Sequence, residues 1–160
     1  MKIGLALHEL HRSENELSER LLRAADRHKA DHEIFYLAQD LAGWSQRHVR
    51  EMAPVAERYG TTLDPEPRGE TGILATARDK LSEAIGREPH AALLLLVDLR
   101  EIYVHAAGVS ADWELIAQAA QGIQDTELLD LCQRCHPDTL RQMRWANAKL
   151  KESATQILVS

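Results

Sequence analysis

The chain has 160 residues, of which 44% are hydrophobic, and this is enough for one domain, covering residues 1–160, with a sizeable core. Its net charge of -6, without a dense Lys/Arg cluster, argues against a nucleic-acid partner, because such binding depends on neutralising phosphates. No apolar run is long enough to span a membrane and the N terminus carries no export signal, so we expect a cytoplasmic protein without a membrane partner.

The first sixty residues predict a hairpin of two helices. Apolar side chains recur every three or four positions over residues 3–28, which is the spacing of one helix face and predicts helix A. A similar stripe over residues 34–59 predicts helix B, with Asp31 as its N-cap and Gly60 at its end. The stripe of helix A consists of Ile3, Leu7, Leu10, Glu14, Leu17, Leu21, Ala24 and His28. The short link between the two stripes permits only a tight turn.

The second half of the chain predicts another hairpin. Residues 61–68 are irregular, residues 71–85 form a short helix, and helix C runs from about Pro89 to Gln121. Helix D follows Asp125, and Pro137 is expected to kink it or split it after His136. The predicted inward face of helix D consists of Leu129, Cys132, His136, Leu140, Met143, Asn147, Leu150 and Ala154. We therefore predict an all-α, antiparallel four-helix bundle with a long crossover, containing the short helix, between B and C; a three-helix or irregular all-α packing remains the alternative.

Each long stripe contains one polar residue where an apolar one is expected. These residues are Glu14, His48, Asp112 and His136. Counting residues from the turns, at about 1.5 Å per residue, places all of them at one depth in the bundle. Carboxylates and imidazoles in a core must be paired or ligated, so the set predicts either a site for one iron, manganese or zinc ion or a hydrogen-bonded network without metal.

With this layer the chain resembles the ferritin-like superfamily over nearly its whole length. Members with a two-metal site carry a Glu on the first and third helices and Glu-x-x-His on the second and fourth. The matching positions here are those of Glu14, His48, Asp112 and His136. Ser45 and Gln133 stand where the two bridging carboxylates would be. The resemblance therefore implies a degenerate member in which the di-metal centre is reduced or vestigial.

The stretch CQRCH adds a third reading of the same region. Cys132, Cys135 and His136 have the order and spacing used to attach a c-type haem. The alternative is that both cysteines are small apolar residues on a helix face.

Three functions follow from these readings. The first is a non-catalytic bundle that acts through protein contacts, as a homodimer or with another protein. Two tryptophans that adjoin the polar layer favour it, because Trp44 and Trp113 could fill the volume left by missing metal ligands. The second is a mononuclear metal-binding protein or oxidoreductase that uses Glu14, His48, Asp112 and His136. The third is the haem protein.

Overall fold

The computed structural model describes residues 2–69 and 88–160, and within these ranges the regular secondary structure is all helical, with no strand. The helices are α1 (Ile3–Arg27), α2 (His32–Glu57), α3 (Glu88–Gly122) and α4 (Thr126–Val159). The predicted all-α class with four long helices is therefore confirmed for the described residues. The short helix predicted over residues 71–85 lies outside them. None of the helices in these ranges is long and apolar enough to cross a bilayer.

The helix ends follow the predicted signals. Asp31 caps α2 by accepting a hydrogen bond from the Ile34 amide at 3.1 Å, as the sequence predicted. Gly60, just beyond α2, has a φ of 71°, a left-handed conformation that glycine adopts without steric cost. Of the two effects predicted for Pro137, splitting of the fourth helix is wrong, because α4 is continuous through it, and a kink at this position stays a prediction. Pro137 and Gln133 are both exposed, so water can satisfy the carbonyl that the proline leaves without an amide partner.

The helices pack side by side in a ring. α1 packs against α2 and α3, and α4 packs against α3 and α2, so that α1 lies diagonally across from α4. Completely buried aliphatic side chains fill the centre, each stabilising the fold by about 1.5–3 kcal/mol relative to an exposed position. The largest of them are Leu7, Leu10, Leu17, Leu21, Ile34, Met52, Leu99, Ile102, Ile116, Leu128 and Leu131.

The predicted inward faces of α3 and α4 are confirmed at some positions, such as Ile102, Val109, Ile116 and Cys132, and are displaced by one residue at others. On α3 the core position belongs to Trp113, whereas Asp112 is half-buried beside it. On α4 the buried positions include Cys135 and Asp138, whereas His136 is half-buried. One residue corresponds to about 100° of rotation about a helix axis. A small error in choosing the stripe therefore changes which polar side chain points into the bundle.

The chain that leaves α2 runs along α1. The first turn of α1 meets it closely, since a Cβ added to Gly4 would lie 2.7 Å from the Tyr59 carbonyl oxygen and against Thr61. Further along, the His11 ring bonds to the Asp64 carbonyl at 2.8 Å. The Asn15 side chain then accepts from the backbone amide at position 68, also at 2.8 Å. This link is thus held against the bundle as far as residue 69.

Gly4→Ala is expected to lower the free energy of unfolding by about 1–3 kcal/mol, because its Cβ would force apart α1 and the link after α2. Gly43→Ala is the matched control, since nothing lies within 4 Å of a Cβ at that helical position. That control should instead gain up to about 1 kcal/mol from helix propensity. Urea denaturation of both variants measures the difference, and equal effects would contradict the close approach at Gly4.

Candidate functional site

One polar layer crosses the bundle, and each helix of the described chain contributes a side chain to it. His48 of α2 lies at the centre, with its Nδ1 donating to Glu14 Oε1 of α1 at 2.7 Å. Trp113 Nε1 of α3 donates to the same Glu14 oxygen at 2.8 Å. On the other side, His48 Nε2 faces Asp138 Oδ2 of α4 at 3.3 Å. Glu14 and His48 are fully buried, so this is a charged layer inside the core.

The two carboxylates determine the protonation of His48. A carboxylate only accepts hydrogen bonds, so an imidazole with one at each nitrogen carries protons on both and is cationic. Burial by itself lowers the pKa of His48, but the charge of Glu14 and the hydrogen bonds to Glu14 and Asp138 outweigh it and raise the pKa above its ordinary value. The Trp113 indole packs edge-on against the imidazole, with 5.8 Å between ring centroids. The imidazolium is thus enclosed by acceptors and an aromatic wall.

Asp138 connects the buried pair to the protein surface. Its Oδ2 also accepts a hydrogen bond from the guanidinium of Arg47. Its Oδ1 accepts from Arg141 Nη1 at 2.8 Å. Both arginines are about half exposed, whereas the Asp138 side chain is 12% exposed. A line of alternating charge therefore runs from Glu14 in the core through His48 and Asp138 to solvent.

A second polar level lies one helical turn away. Gln142 Nε2 donates to the Leu41 carbonyl at 2.8 Å and to Ser45 Oγ at 2.9 Å. Within the described structure, several buried polar atoms near these two levels lack a hydrogen-bond partner; they are Glu14 Oε2, Ser18 Oγ, Thr139 Oγ1 and Gln142 Oε1. Because buried polar atoms are nearly always satisfied, these atoms are exceptions within the core.

The structure assembles the four predicted metal ligands only in part. Glu14 and His48 are hydrogen-bonded to each other, as described above. Asp112 instead lines a surface cleft between α1 and α3 that also contains Glu16 and His105. Burial raises the pKa of Asp112, against the opposing effect of a hydrogen bond with Ser13. In the described ranges no group of three or more His, Cys, Asp or Glu side chains is arranged to hold a metal ion.

His136 lies at the boundary between α3 and α4. Its Nε2 is 2.8 Å from Ser110 Oγ and 3.9 Å from a carboxylate oxygen of the exposed Glu114. Its hydrogen-bond partners are therefore not those of the central pair. The metal assignment for the predicted set remains a prediction.

Two residues of the layer, Asp138 and Trp113, were not among the predicted ligands. A signal for Asp138 does exist in the sequence, because α4 contains a second stripe with spacings of three and four residues. That stripe consists of Leu128, Leu131, Cys135, Asp138, Gln142 and Ala146. Asp138 occupies in it the position that the prediction gave to His136 in the neighbouring stripe.

The cysteines of the CQRCH stretch are both in the core. Cys132 and Cys135 are 2% and 1% exposed. Burial raises the pKa of Cys132 to about 11. Burial, followed by the charge of Glu51, raises the pKa of Cys135 as well. Thiols in this state are poor nucleophiles, and attaching a haem to both would require α4 to separate from its neighbours.

Fold and site together define an all-helical protein with a charged layer at the centre of four packed helices. Comparison of the chain with protein-family models, with curated proteins and with solved structures gives no match.

The raised pKa of His48 predicts a pH-dependent stability. A group whose pKa is higher in the folded state contributes its full stabilisation below the unfolded value, near 6.5, and loses it as pH rises through the folded value. We expect the free energy of unfolding of the wild type to fall relative to His48→Gln as pH is raised from 6.5 into the alkaline range. Urea denaturation at a series of pH values measures this, and a pH-independent difference between the two proteins would refute it.

Proposed function

We propose that the chain is a ferritin-like antiparallel four-helix bundle with a long crossover. Contacts between helices support the antiparallel directions, because residue numbers fall on one helix as they rise on its neighbour. For α1 and α3 the contacts are His28 with Asp98, Glu16 with His105, and Glu14 with Trp113. For α2 and α4 they are Glu33 with Lys149, Leu41 with Gln142, and Arg58 with Glu127.

The path of the chain after α2 supports the long crossover. The link contacts α1 first at Gly4, then at His11 and then at Asn15, so it travels along α1 in the same direction as that helix. It therefore moves back toward the end of the bundle where α1 finishes and α2 begins. A third helix that starts there would run parallel to α2, which is the connection that a crossover provides.

We propose that the polar layer of this bundle, which corresponds to the metal-binding layer of ferritin-like enzymes, is a structural ion-pair network. The protein is then non-catalytic and acts through protein contacts. The observation that carries the proposal is the state of His48. Each of its nitrogens is directed at a carboxylate, and a metal ligand needs a nitrogen with a free lone pair. To bind a metal ion, the His48 imidazolium would thus have to lose a proton, although the carboxylates of Glu14 and Asp138 stabilise its protonated form.

The neighbours of His48 support the same conclusion. Trp113 packs edge-on against the imidazole, and its indole N–H together with His48 Nδ1 occupies one Glu14 oxygen. Asp138, the other carboxylate of the line, is already neutralised by Arg47 and Arg141. A divalent cation at this position would therefore meet one imidazolium and two guanidinium groups, and repulsion among these charges disfavours it.

Elemental analysis of the purified protein after incubation with Fe²⁺, Mn²⁺ and Zn²⁺, followed by desalting, tests the proposal. We expect each metal at background in the wild type, in His48→Ala and in the exposed control His8→Ala. A stoichiometric metal that is lost in His48→Ala and His136→Ala but kept in His8→Ala would overturn it. An absorbance scan tests the haem reading in parallel, since a Soret band that survives denaturation would identify covalent haem.

One observation favours mononuclear metal binding as the second candidate. Glu14 Oε2 is fully buried and has no partner among the described residues. A carboxylate oxygen in that condition is a strong acceptor for a cation. The candidate then requires His136 and Asp112 to leave their present partners and turn toward Glu14. The variants above separate the two candidates, because only the metal site loses an ion when His136 is removed.

A further inference from the structure

α3 carries an apolar stripe on the side that faces away from the bundle. Large side chains on this stripe are strongly exposed: Leu93 49%, Val97 52%, Val104 48% and Leu115 68%. The exposed small residues Gly108 and Ala111 continue it. Steps of three, four and seven residues keep all of these on one helix face. From Leu93 to Leu115 the stripe is about 33 Å long at the helical rise per residue.

This stripe distinguishes α3 from an ordinary surface helix. The opposite face of α3 is already occupied by α1 and α4, and it buries residues such as Leu99, Ile102 and Ile116. A helix that is apolar on both faces is normally covered on both faces. Arg100 and Glu101 interrupt the stripe between Val97 and Val104, and its apolar part from Val104 to Leu115 is the kind of surface that a protein partner covers.

The charges on the stripe indicate which partner fits. Arg100 and Glu114 lie seven residues before and seven residues after Ala107, so the three form one row along the helix. Both charged side chains are accessible, at 66% and 67% exposure, and within one chain Arg100 uses Nη1 to donate to its neighbour Glu101 at 2.6 Å. If a second copy of α3 is laid antiparallel on this face, with a two-fold axis at Ala107, Arg100 of each copy faces Glu114 of the other. The row on one copy is therefore complementary in charge to the same row on the second copy.

We propose that two copies of this chain associate through the outer face of α3, antiparallel and related by a two-fold axis near Ala107. Two Arg100–Glu114 ion pairs, one on each side of the axis, fix the register. With the axis at Ala107 the two stripes overlap from residue 99 to residue 115, which covers Val104, Gly108, Ala111 and Leu115 of each copy, as in other two-fold interfaces in which the same patch is used twice. The proposal goes beyond the function proposed above, and it does not depend on the state of the polar layer.

The residues near the axis are suited to a close approach. Ala107, Gly108 and Ala111 have small side chains or none, and the distance between packed helices is set by the side chains at their contact. Within one chain nothing lies within 4 Å of a Cβ placed on Gly108. A larger residue at position 108 can thus be accommodated by the monomer, but it would lie in the path of the second copy.

Charge reversal tests the register. Sedimentation equilibrium should give a dimer for the wild type, and Arg100→Glu or Glu114→Arg should each weaken it at least about tenfold, because both ion pairs become repulsive. The combined variant Arg100→Glu/Glu114→Arg should return to within about twofold of the wild type, since the pairs are restored with reversed sign. Lys151→Glu and Asp130→Arg, which make the same changes in net charge on exposed parts of α4, should leave the dimer unchanged.

A steric variant provides an independent test. Gly108→Leu should abolish the dimer while the circular dichroism spectrum stays helical, and Gly108→Ala should leave the fold intact and the dimer only slightly weakened. A wild type that is monomeric up to millimolar concentration would overturn the proposal. A dimer that is unaffected by both Gly108→Leu and the single charge reversals would overturn it equally, because it would have to use another face.

Discussion

Glu14→Gln is expected to lower the free energy of unfolding by about 3–5 kcal/mol, the usual effect of removing one partner of a buried ion pair. The amide keeps the size of the carboxylate but loses its charge, so the His48 imidazolium remains in the core with its principal counter-ion gone. Urea denaturation near neutral pH measures the loss. Glu9→Gln, which changes an exposed carboxylate on the same helix, should have little effect.

A double-mutant cycle shows whether this loss belongs to the pair. If Glu14 stabilises the fold through His48, then His48→Gln removes the charge that Glu14 neutralises, and the combined variant should lose much less than the sum of the single variants. Additive losses would mean that Glu14 acts mainly through Trp113 or through its own packing. They would remove the basis for describing the layer as an ion-pair network.

Trp113→Ala is expected to lower the free energy of unfolding by about 3–5 kcal/mol, since it leaves a large cavity beside the charged pair. Trp113 is completely buried, whereas Trp44 is only partly buried against the same core. Trp44→Ala is therefore the matched control and should cost clearly less. The same denaturation experiment measures both, and equal losses would contradict a central position for Trp113.

Trp113→Phe separates the volume of the indole from its hydrogen bond. Phenylalanine fills most of the space but cannot donate to Glu14, so a loss of about 1–3 kcal/mol is expected, because Glu14 Oε1 keeps only the hydrogen bond from His48. A loss as large as that of Trp113→Ala would contradict this division, because it would assign the whole effect to the missing hydrogen bond or to poor packing of the phenyl ring.

The meeting of Glu14 and His48 could be predicted from the sequence, and the reason is local. α1 and α2 each have a clear apolar stripe and polar opposite faces, and a turn of a few residues joins them. Under these conditions, counting residues from the turn determines which side chains lie at the same height. The cap at Asp31 follows from equally local chemistry, the match between a short carboxylate and a free helical amide.

The contributions of α3 and α4 could not be predicted in the same way. α3 has apolar residues on both faces, so its stripe does not indicate which face is inside. Asp112 and Trp113 are adjacent, and only packing against α1 decides that the indole points inward. On α4 two stripes of similar regularity compete, and the choice of Asp138 over His136 depends on α2, which supplies His48 and Arg47 as partners. On both helices, contacts with a distant part of the chain decide which residue points into the bundle.

The charged layer also limits how the helices can slide past one another. A core built only from leucine and alanine tolerates a shift of one helical turn, about 5.4 Å, because one apolar side chain replaces another. Such a shift of α1 would separate Glu14 from both His48 and Trp113, and a shift of α4 would separate Asp138 from His48. A one-turn shift of α1 therefore leaves Glu14 and His48 as separate charges in the interior, and this cost disfavours that misaligned packing.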